Sequence, residues 1–325
     1  MTQASASNPI IDPAVLDVLL SAEGPMGVEA VALRCGLSVK QAMAELARLR
    51  AAGCELDEHP QHGVTLTEAG LSTWQDYLAW RLGAGRHVAV YRQTGSTQDV
   101  CRGLIAAYGR SADGALVVAE QQSAGRGRLG RRWVAPAGAG LAFSRVYVGD
   151  DEATVDRLMF ATAVAVAEAL ERALGGKAAV GIKWPNDVCV DGRKLAGVLV
   201  EAEPTAAVIG VGVNTHLQAD DLPSDEPTLR ERVTSLAMLG VRTHRLAVLA
   251  AVVLAIDEAL QRTPVSVLLE RWRQRCTMLH QRVSLLSDGR PVTGQVLDLD
   301  AHAGLIVRRD TGEIVHLPAA TTTVV

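Results

Sequence analysis

An apolar helical face begins just after Asp12. Val15, Leu16, Val18, Leu19 and Leu20 recur at helical spacing, with Asp12 as the N-cap and Gly24 as the stop. A second helix fits 28–35. Gly36-Leu37-Ser38 then makes a tight turn, and Ser38 can cap a third helix that Gly53 ends. Two short strands, 55–59 and 64–67, flank Pro60-Gln61-His62-Gly63. Helix, helix–turn–helix and hairpin together match the layout of a winged helix-turn-helix. A connecting helix over 71–85 follows, closing at Leu82-Gly83-Ala84-Gly85.

Beyond it, apolar strands at 87–91, 115–119, 141–148, 180–183, 188–190, 195–201 and 208–213 alternate with helices near 97–108, 154–174 and 245–260. That mixture predicts one main sheet in an α+β domain. The apolar run 246–256 is too short to cross a bilayer and reads as a core helix. From Cys276 the pattern changes to short strands with Gly and Asp turns, at 283–287, 292–298, 304–308 and 314–318, the mark of a small β-barrel. The expected architecture is therefore α+β: a winged helix-turn-helix over 1–70 with a loose polar tail at 1–11, a linker helix over 71–85, a mixed α/β domain over 86–275 and a small SH3-like β-barrel over 276–325.

Composition narrows the function. The chain has 325 residues, 48% of them hydrophobic, enough for more than one core. A net charge of -4 argues against a general polyanion binder. Its distribution says more: residues 1–85 hold five Lys or Arg against ten Asp or Glu, whereas 121–149 holds five arginines and no acid. Five cysteines stand singly with no CxxC pair, which fits reduced thiols in a cytoplasmic protein. The N-terminus has neither a basic n-region nor an apolar signal core.

The basic stretch is Gly125-Arg126-Gly127-Arg128-Leu129-Gly130-Arg131-Arg132-Trp133. It matches GxGxxG, but a dinucleotide fingerprint needs a helix directly after the glycines, and Val134-Ala135-Pro136-Ala137-Gly138 is poor helix material. A better reading is a loop that closes on an anion. Glycines let its backbone approach a ligand, arginines supply forks for carboxylate or phosphate, and mutual repulsion keeps it mobile until an anion arrives. A solvated basic surface loop is the plainer alternative. In Lys183-Trp184-Pro185-Asn186-Asp187, a strand delivers a lysine to a stiff turn, where it either bridges two anionic groups or pairs with Asp187. Arg193-Lys194-Leu195-Ala196-Gly197 leads into a buried strand, and Gly210-Val211-Gly212-Val213-Asn214 is a strand whose glycines admit close packing.

These four motifs, in this order, resemble the biotin–protein ligases, in particular the bacterial form fused to an N-terminal winged helix-turn-helix, the biotin operon repressors. The resemblance is strong over 86–325 and looser over 12–70. It implies an ATP-dependent enzyme that forms biotinyl-5'-adenylate and transfers biotin to a lysine of the biotin carboxyl carrier domain of acetyl-CoA carboxylase. Carried over by motif, Ser96, Thr97, Gln98 and Gln122 contact the biotin ring, and Arg126, Gly127 and Arg128 lie over the carboxylate and the adenylate phosphate. Lys183 bridges those two groups, Gly197 packs on biotin and Asn214 meets the adenine. Lys183, Arg126 and Arg128 carry the catalysis, with Mg2+ on the leaving pyrophosphate and no protein metal site. The family commonly has Asn at the position of Gln98, a basic residue at Leu129, and glycines at Ala319 and Ala320.

The resemblance also implies operator DNA as a partner and a homodimer when the adenylate is bound. Ser38, Lys40, Gln41 and Arg48, with Arg50, would then face DNA. The acidic balance of residues 1–85 and Glu55, Asp57 and Glu58 in the wing oppose this, because affinity depends on phosphate neutralisation. An N-terminal domain that does not bind DNA, and a lipoate–protein ligase on the same fold, stay open as alternatives.

Overall fold

Asp12 caps α1 (Pro13–Leu20) by accepting the Ala14 N–H at 2.9 Å, and Pro13 occupies the first turn, where no N–H is needed. The computed structural model describes residues 11–59, 61–83, 85–149, 155–222 and 227–324. The stretch 1–10 of the expected tail lies outside the described residues, and Ile11, counted with that tail, is buried. α2 (Val28–Cys35) stops at Gly36, whose φ of 67° is left-handed. Ser38 and Gln41 form a reciprocal capping box at the start of α3 (Val39–Ala51). β1 (Glu55–His59) and β2 (Gly63–Glu68) pair antiparallel, and Met26 adds a bridge to Val64. α4 (Leu71–Leu82) follows.

The main sheet is built in chain order from β3 (Val88–Thr94), β4 (Leu116–Gln122), β5 (Gly140–Tyr147), β6 (Gly181–Lys183), β7 (Asp187–Val190), β8 (Arg193–Glu203) and β9 (Ala206–Asn214). Its spatial order is β3-β4-β5-β9-β8-β7-β6. Only β3 and β4 run parallel, and α5 (Thr97–Tyr108) crosses between them. Strand alternation divides the two faces. Leu141, Phe143, Ile209, Val211 and Val213 join the large core under α6 (Val155–Leu174) and α8 (Arg245–Gln261). On the opposite face β5, β8 and β9 present small residues: Ala142, Ser144, Gly197, Gly210 and Gly212. That half of the sheet is left as a trough, while Cys101 and its neighbours on α5 pack over Val117, Val146 and Val208 beside it.

Three described elements were not anticipated from the sequence. α7 (Pro227–Arg232) has a single turn or so of helix. α9 (Val265–Arg275) buries only Leu268 and Trp272, an i,i+4 pair too sparse to stand out as a helical stripe. β14 (Thr322–Val324) completes an antiparallel sheet with β10 (Arg282–Ser287), β11 (Arg290–Asp300), β12 (Gly304–Arg309) and β13 (Ile314–Leu317), in the order β13-β12-β11-β10-β14. Among the described residues no helix is long and apolar enough to cross a membrane.

One continuous apolar core joins the three stretches, running from Leu16 through Trp74 and Leu170 to Val296. A buried charge reinforces the first joint. Arg245, 6% exposed, donates to Glu68 at 2.7 Å, lies 3.7 Å from Glu120 and stacks 5.2 Å from the Trp74 ring centroid. Glu68 ends the hairpin, Trp74 lies on α4 and Glu120 on β4. Glu68→Ala removes the nearer partner of a buried guanidinium and is expected to lower stability by about 1–3 kcal/mol. Urea denaturation of the full chain checks this; an unchanged midpoint would show that Glu120 alone suffices.

Candidate functional site

The small-residue face of the sheet forms the floor of a cleft of about 190 Å³. Gly197 and Gly212 sit directly opposite each other on β8 and β9, and the Trp133 indole lies against them. A Cβ at Gly212 would overlap that ring, and one at Gly197 would come 2.9 Å from Lys194 Nζ. Glycine is required at 212, where the ring already fills the space, whereas at 197 the flexible end of Lys194 can give way. Lys194 Nζ lies 5.7 Å from the Trp133 ring centroid.

One wall is the turn into α5. Gln122 Oε1 accepts the Thr97 N–H at 2.8 Å and lies 3.1 Å from Thr97 Oγ1, which in turn meets Ser144 Oγ at 2.7 Å. Ser96 Oγ and both polar atoms of Gln98 are buried without a hydrogen-bond partner. Buried polar atoms are seldom left so, and a cluster of them facing a cleft marks a place for a polar ligand.

The loop after β4 is held more firmly than its run of arginines predicts. Gly127 N–H donates to Arg131 O at 2.7 Å, and Trp133 N–H donates to Gly125 O at 3.1 Å. Between them lies a 3-10 turn, Arg128–Gly130, with Leu129 at φ 53°. No α-helix follows the glycines, so the dinucleotide-binding geometry is not formed.

The expectation of a loop without acidic neighbours is corrected here. Arg126 makes a two-pronged pair with Asp99 of α5 at 2.9 and 2.8 Å and lies 3.5 Å from Glu201 of β8. Neither acid is near in sequence; the sheet brings them there. The Arg126 guanidinium holds the Asp99 carboxyl below the usual carboxylate range. Arg126 Nε is buried and still has no acceptor. Arg128 meets Asn186 Oδ1 at 3.4 Å, Thr322 O at 2.8 Å and the carbonyl of Ala319. Burial pulls its pKa down to about 10, which leaves it charged at neutral pH.

Lys183 stands at the end of β6, exposed on the rim of the cleft, with no ion pair or hydrogen bond to its side chain among the described residues. Its hairpin partner Asp187 pairs instead with Lys194 at 2.5 Å, so the Lys183–Asp187 pairing left open by the sequence does not form. Asn186 braces the turn by donating to Val198 O at 2.8 Å. The Asn214 amide donates to Lys194 O and Thr234 O at 3.3 and 3.1 Å, tying the end of β9 to its neighbours. Trp133, Lys194 and Ser144 belong to the site but were not expected there. The glycines at 197, 210 and 212 were the available signal, because a bare strand face needs something large to cover it.

The residues expected to face DNA are arranged differently. Ser38 and Gln41 bond each other in the capping box. Arg48 pairs with Glu45 and Arg50 with Glu58, and Lys40 is exposed.

Comparison with known proteins adds an independent line. The profile of the biotin/lipoate A/B protein ligase family matches residues 90–214, and that of the biotin protein ligase C-terminal domain matches 279–321. A bifunctional ligase/repressor of Bacillus spizizenii is 33% identical over 181 residues; the match spans 54% of this chain and about half, 54%, of that relative. A biotin–[acetyl-CoA-carboxylase] ligase of Mycobacterium tuberculosis is 34% identical over 254 residues, covering 73% of this chain and 92% of that one. The structure of a biotin protein ligase from Aquifex aeolicus in complex with biotin and ATP is similar with a TM-score of 0.63 and 25% identity, over 74% of this chain and 98% of that one.

Gly212→Ala tests the floor. Its methyl group must displace Trp133 from the sheet, exposing the indole and shifting tryptophan emission to the red. The same substitution in a Trp133→Phe background should give no shift; a shift there would place its source at another tryptophan.

Proposed function

The chain belongs to the biotin protein ligase family, and from that membership we propose that it forms biotinyl-5'-adenylate from biotin and ATP and passes biotin to a lysine of the biotin carboxyl carrier domain of acetyl-CoA carboxylase. The observation that carries this reading is the pairing of orphaned polar atoms at one end of a glycine-floored cleft with an unpaired lysine on its rim. Biotin has matching ends. Its ureido ring offers two N–H donors and a carbonyl to Ser96 and Gln98, with Thr97 and Gln122 fixing that wall, and its carboxylate reaches toward Lys183. Gly197, Gly212 and Trp133 line the middle.

The first step brings a carboxylate oxygen onto the α-phosphorus of ATP; a C–O–P bond forms and pyrophosphate leaves. Two anions must meet, and charge grows on phosphorus as they do. Lys183 and Arg128 supply positive charge there, and the free Arg126 Nε–H gives a close donor. In the second step a neutral carrier lysine attacks the anhydride carbonyl, AMP leaves, and the amine's proton passes to solvent. A loop closed over the cleft keeps water from the anhydride in the meantime. Magnesium accompanies ATP in such chemistry, but no cluster of acids, His or Cys suits it among the described residues. The nearby carboxylates Asp187, Asp99 and Glu201 are engaged by Lys194, Arg126 and Arg102.

The direct test is pyrophosphate release on mixing the protein with ATP, magnesium and biotin; release with lipoate instead would support the lipoate reading. Lys183→Ala is expected to reduce that release about 10²-fold while changing biotin affinity little, since its charge matters most in the transition state. Equal losses in both would make Lys183 a ground-state contact. Arg128→Ala is expected to shorten the half-life of bound adenylate by roughly 10- to 100-fold, as loss of a charge-assisted contact predicts. It should also lower the melting temperature, because its three acceptors lose their partner.

A second reading, operator binding, follows from the winged helix-turn-helix layout of residues 1–70 joined by the 71–85 linker to a ligase domain at 86–275 and a small SH3-like barrel at 276–325. Among the basic candidates on α3, Lys40 alone is free of an acidic partner, Arg48 and Arg50 being paired with Glu45 and Glu58. Binding should therefore be weak and need the adenylate-bound dimer, which doubles the phosphate contacts. A gel shift on the biotin-synthesis promoter at low salt, with and without biotin plus ATP, decides it. No shift in either condition from active ligase leaves the domain without a DNA role.

A further inference from the structure

The loop that carries Arg128 is fastened to the far end of the chain. Two of the three acceptors of its guanidinium are the carbonyls of Ala319 and Thr322, more than 190 positions away in sequence. The segment they belong to is also part of the cleft, because Thr323 and Val324 line it. It is pinned at two points. Thr322, fully buried, meets Ser287 Oγ of β10 at 2.9 Å through its hydroxyl. Ala319, also buried, donates its N–H at 3.0 Å to Asp156 Oδ1 in the first turn of α6. Ala319 is thus gripped on both sides, by Asp156 at its N–H and by Arg128 at its carbonyl.

We propose that Asp156 is a positioning residue for Arg128: by holding Ala319 it fixes 319–322 as the catch that keeps the arginine loop over the cleft. The arrangement is unequal in a telling way. Among the described residues Arg128 has no carboxylate in hydrogen-bond contact, so its place depends on neutral oxygens, two of which the C-terminal segment positions. A carbonyl displaced by an ångström no longer accepts well, since hydrogen bonds weaken steeply with distance and angle. Burial pushes the Asp156 carboxyl up, and the Ala319 N–H and the Arg128 charge pull against that rise. Asp156 is not among the residues lining the cleft, and its hydrogen bond reaches Arg128 through the peptide chain. The catch also gives the C-terminal sheet a part in catalysis: it holds the lid shut while the anhydride waits for the carrier.

This inference rests on the ligase reading, and its test separates the two. The full-length protein is loaded with biotin and ATP, and the half-life of bound adenylate is measured after a chase. Asp156→Ala should shorten it about fivefold, the effect of one lost hydrogen bond. Asp156→Asn, which keeps an acceptor oxygen for Ala319 N–H, should restore the wild-type half-life. Asp156→Ala added to Arg128→Ala should bring no further shortening, because both act on one contact. Independent losses in the double variant, or an unchanged half-life in Asp156→Ala, overturn the proposal.

A second measurement needs no turnover: tryptic cleavage after Arg131 and Arg132 in the free protein, mapped by mass, should speed up in Asp156→Ala and not in Asp156→Asn. Equal cleavage in all three proteins also overturns the proposal. Should Asp156→Ala not fold, Asp156→Ser, whose hydroxyl stops short of Ala319, takes its place in both assays. If the wild type releases no pyrophosphate from biotin and ATP, the ligase reading fails, and the cleavage assay still decides whether Asp156 holds the loop.

Discussion

The bareness of one face of the central sheet is the constraint on which the site depends. β8 and β9 place Gly197 opposite Gly212, and β9 adds Gly210 one step along the same face, so no side chain rises from the sheet there. The Trp133 indole can lie on it, Gln98 can reach across Gly210, and a ligand can approach the backbone itself. The opposite face of the same strands carries Leu, Val, Ile and Phe into the core under α6 and α8. A strand with period two serves both purposes at once: the odd positions of β9 hold the protein together, and Gly210 and Gly212 on the other face leave room for chemistry.

Charge around the cleft is sorted by partner. Arg126 is tied to Asp99 and Glu201, Arg102 to Asp99, Glu201 and Glu203, and Lys194 to Asp187. Those pairs shape the walls and leave little net charge. Among the described residues Lys183 faces the cleft without such a partner, and Arg128 has only neutral oxygens in hydrogen-bond contact. An anion entering the site therefore meets two cations that no carboxylate among the described residues holds in an ion pair, which is where two negative reactants need them.

The site is also assembled from distant pieces of chain. The α5 turn, the arginine loop, the β6–β7 turn and the C-terminal strand β14 each supply a wall. The N-terminal hairpin reaches the same sheet through Glu68, Arg245 and Glu120, and Glu120 lies two residues before Gln122 on β4. Stability and chemistry are thus carried by the same strands.

Much of this was legible in the chain itself. Each expected helix and strand among the described residues is present within a few positions, because long apolar stripes and Gly, Pro and Asp punctuation depend only on near neighbours. Gly36 and Ser38 likewise declared their roles through local chemistry. α9 and β14 escaped because each buries too few apolar residues to make a period of its own. What no local pattern could give is partnership across the fold. Asp99 and Glu201 turned an expected free arginine into a braced one, Lys194 took Asp187 from Lys183, Asn214 was drawn into bracing β9, and Ala319 and Thr322 caught Arg128. Periodicity and turn chemistry are properties of neighbouring residues, and the sequence determines them directly. The partner a charge finds is set by which strands lie side by side, and only the tertiary structure decides that.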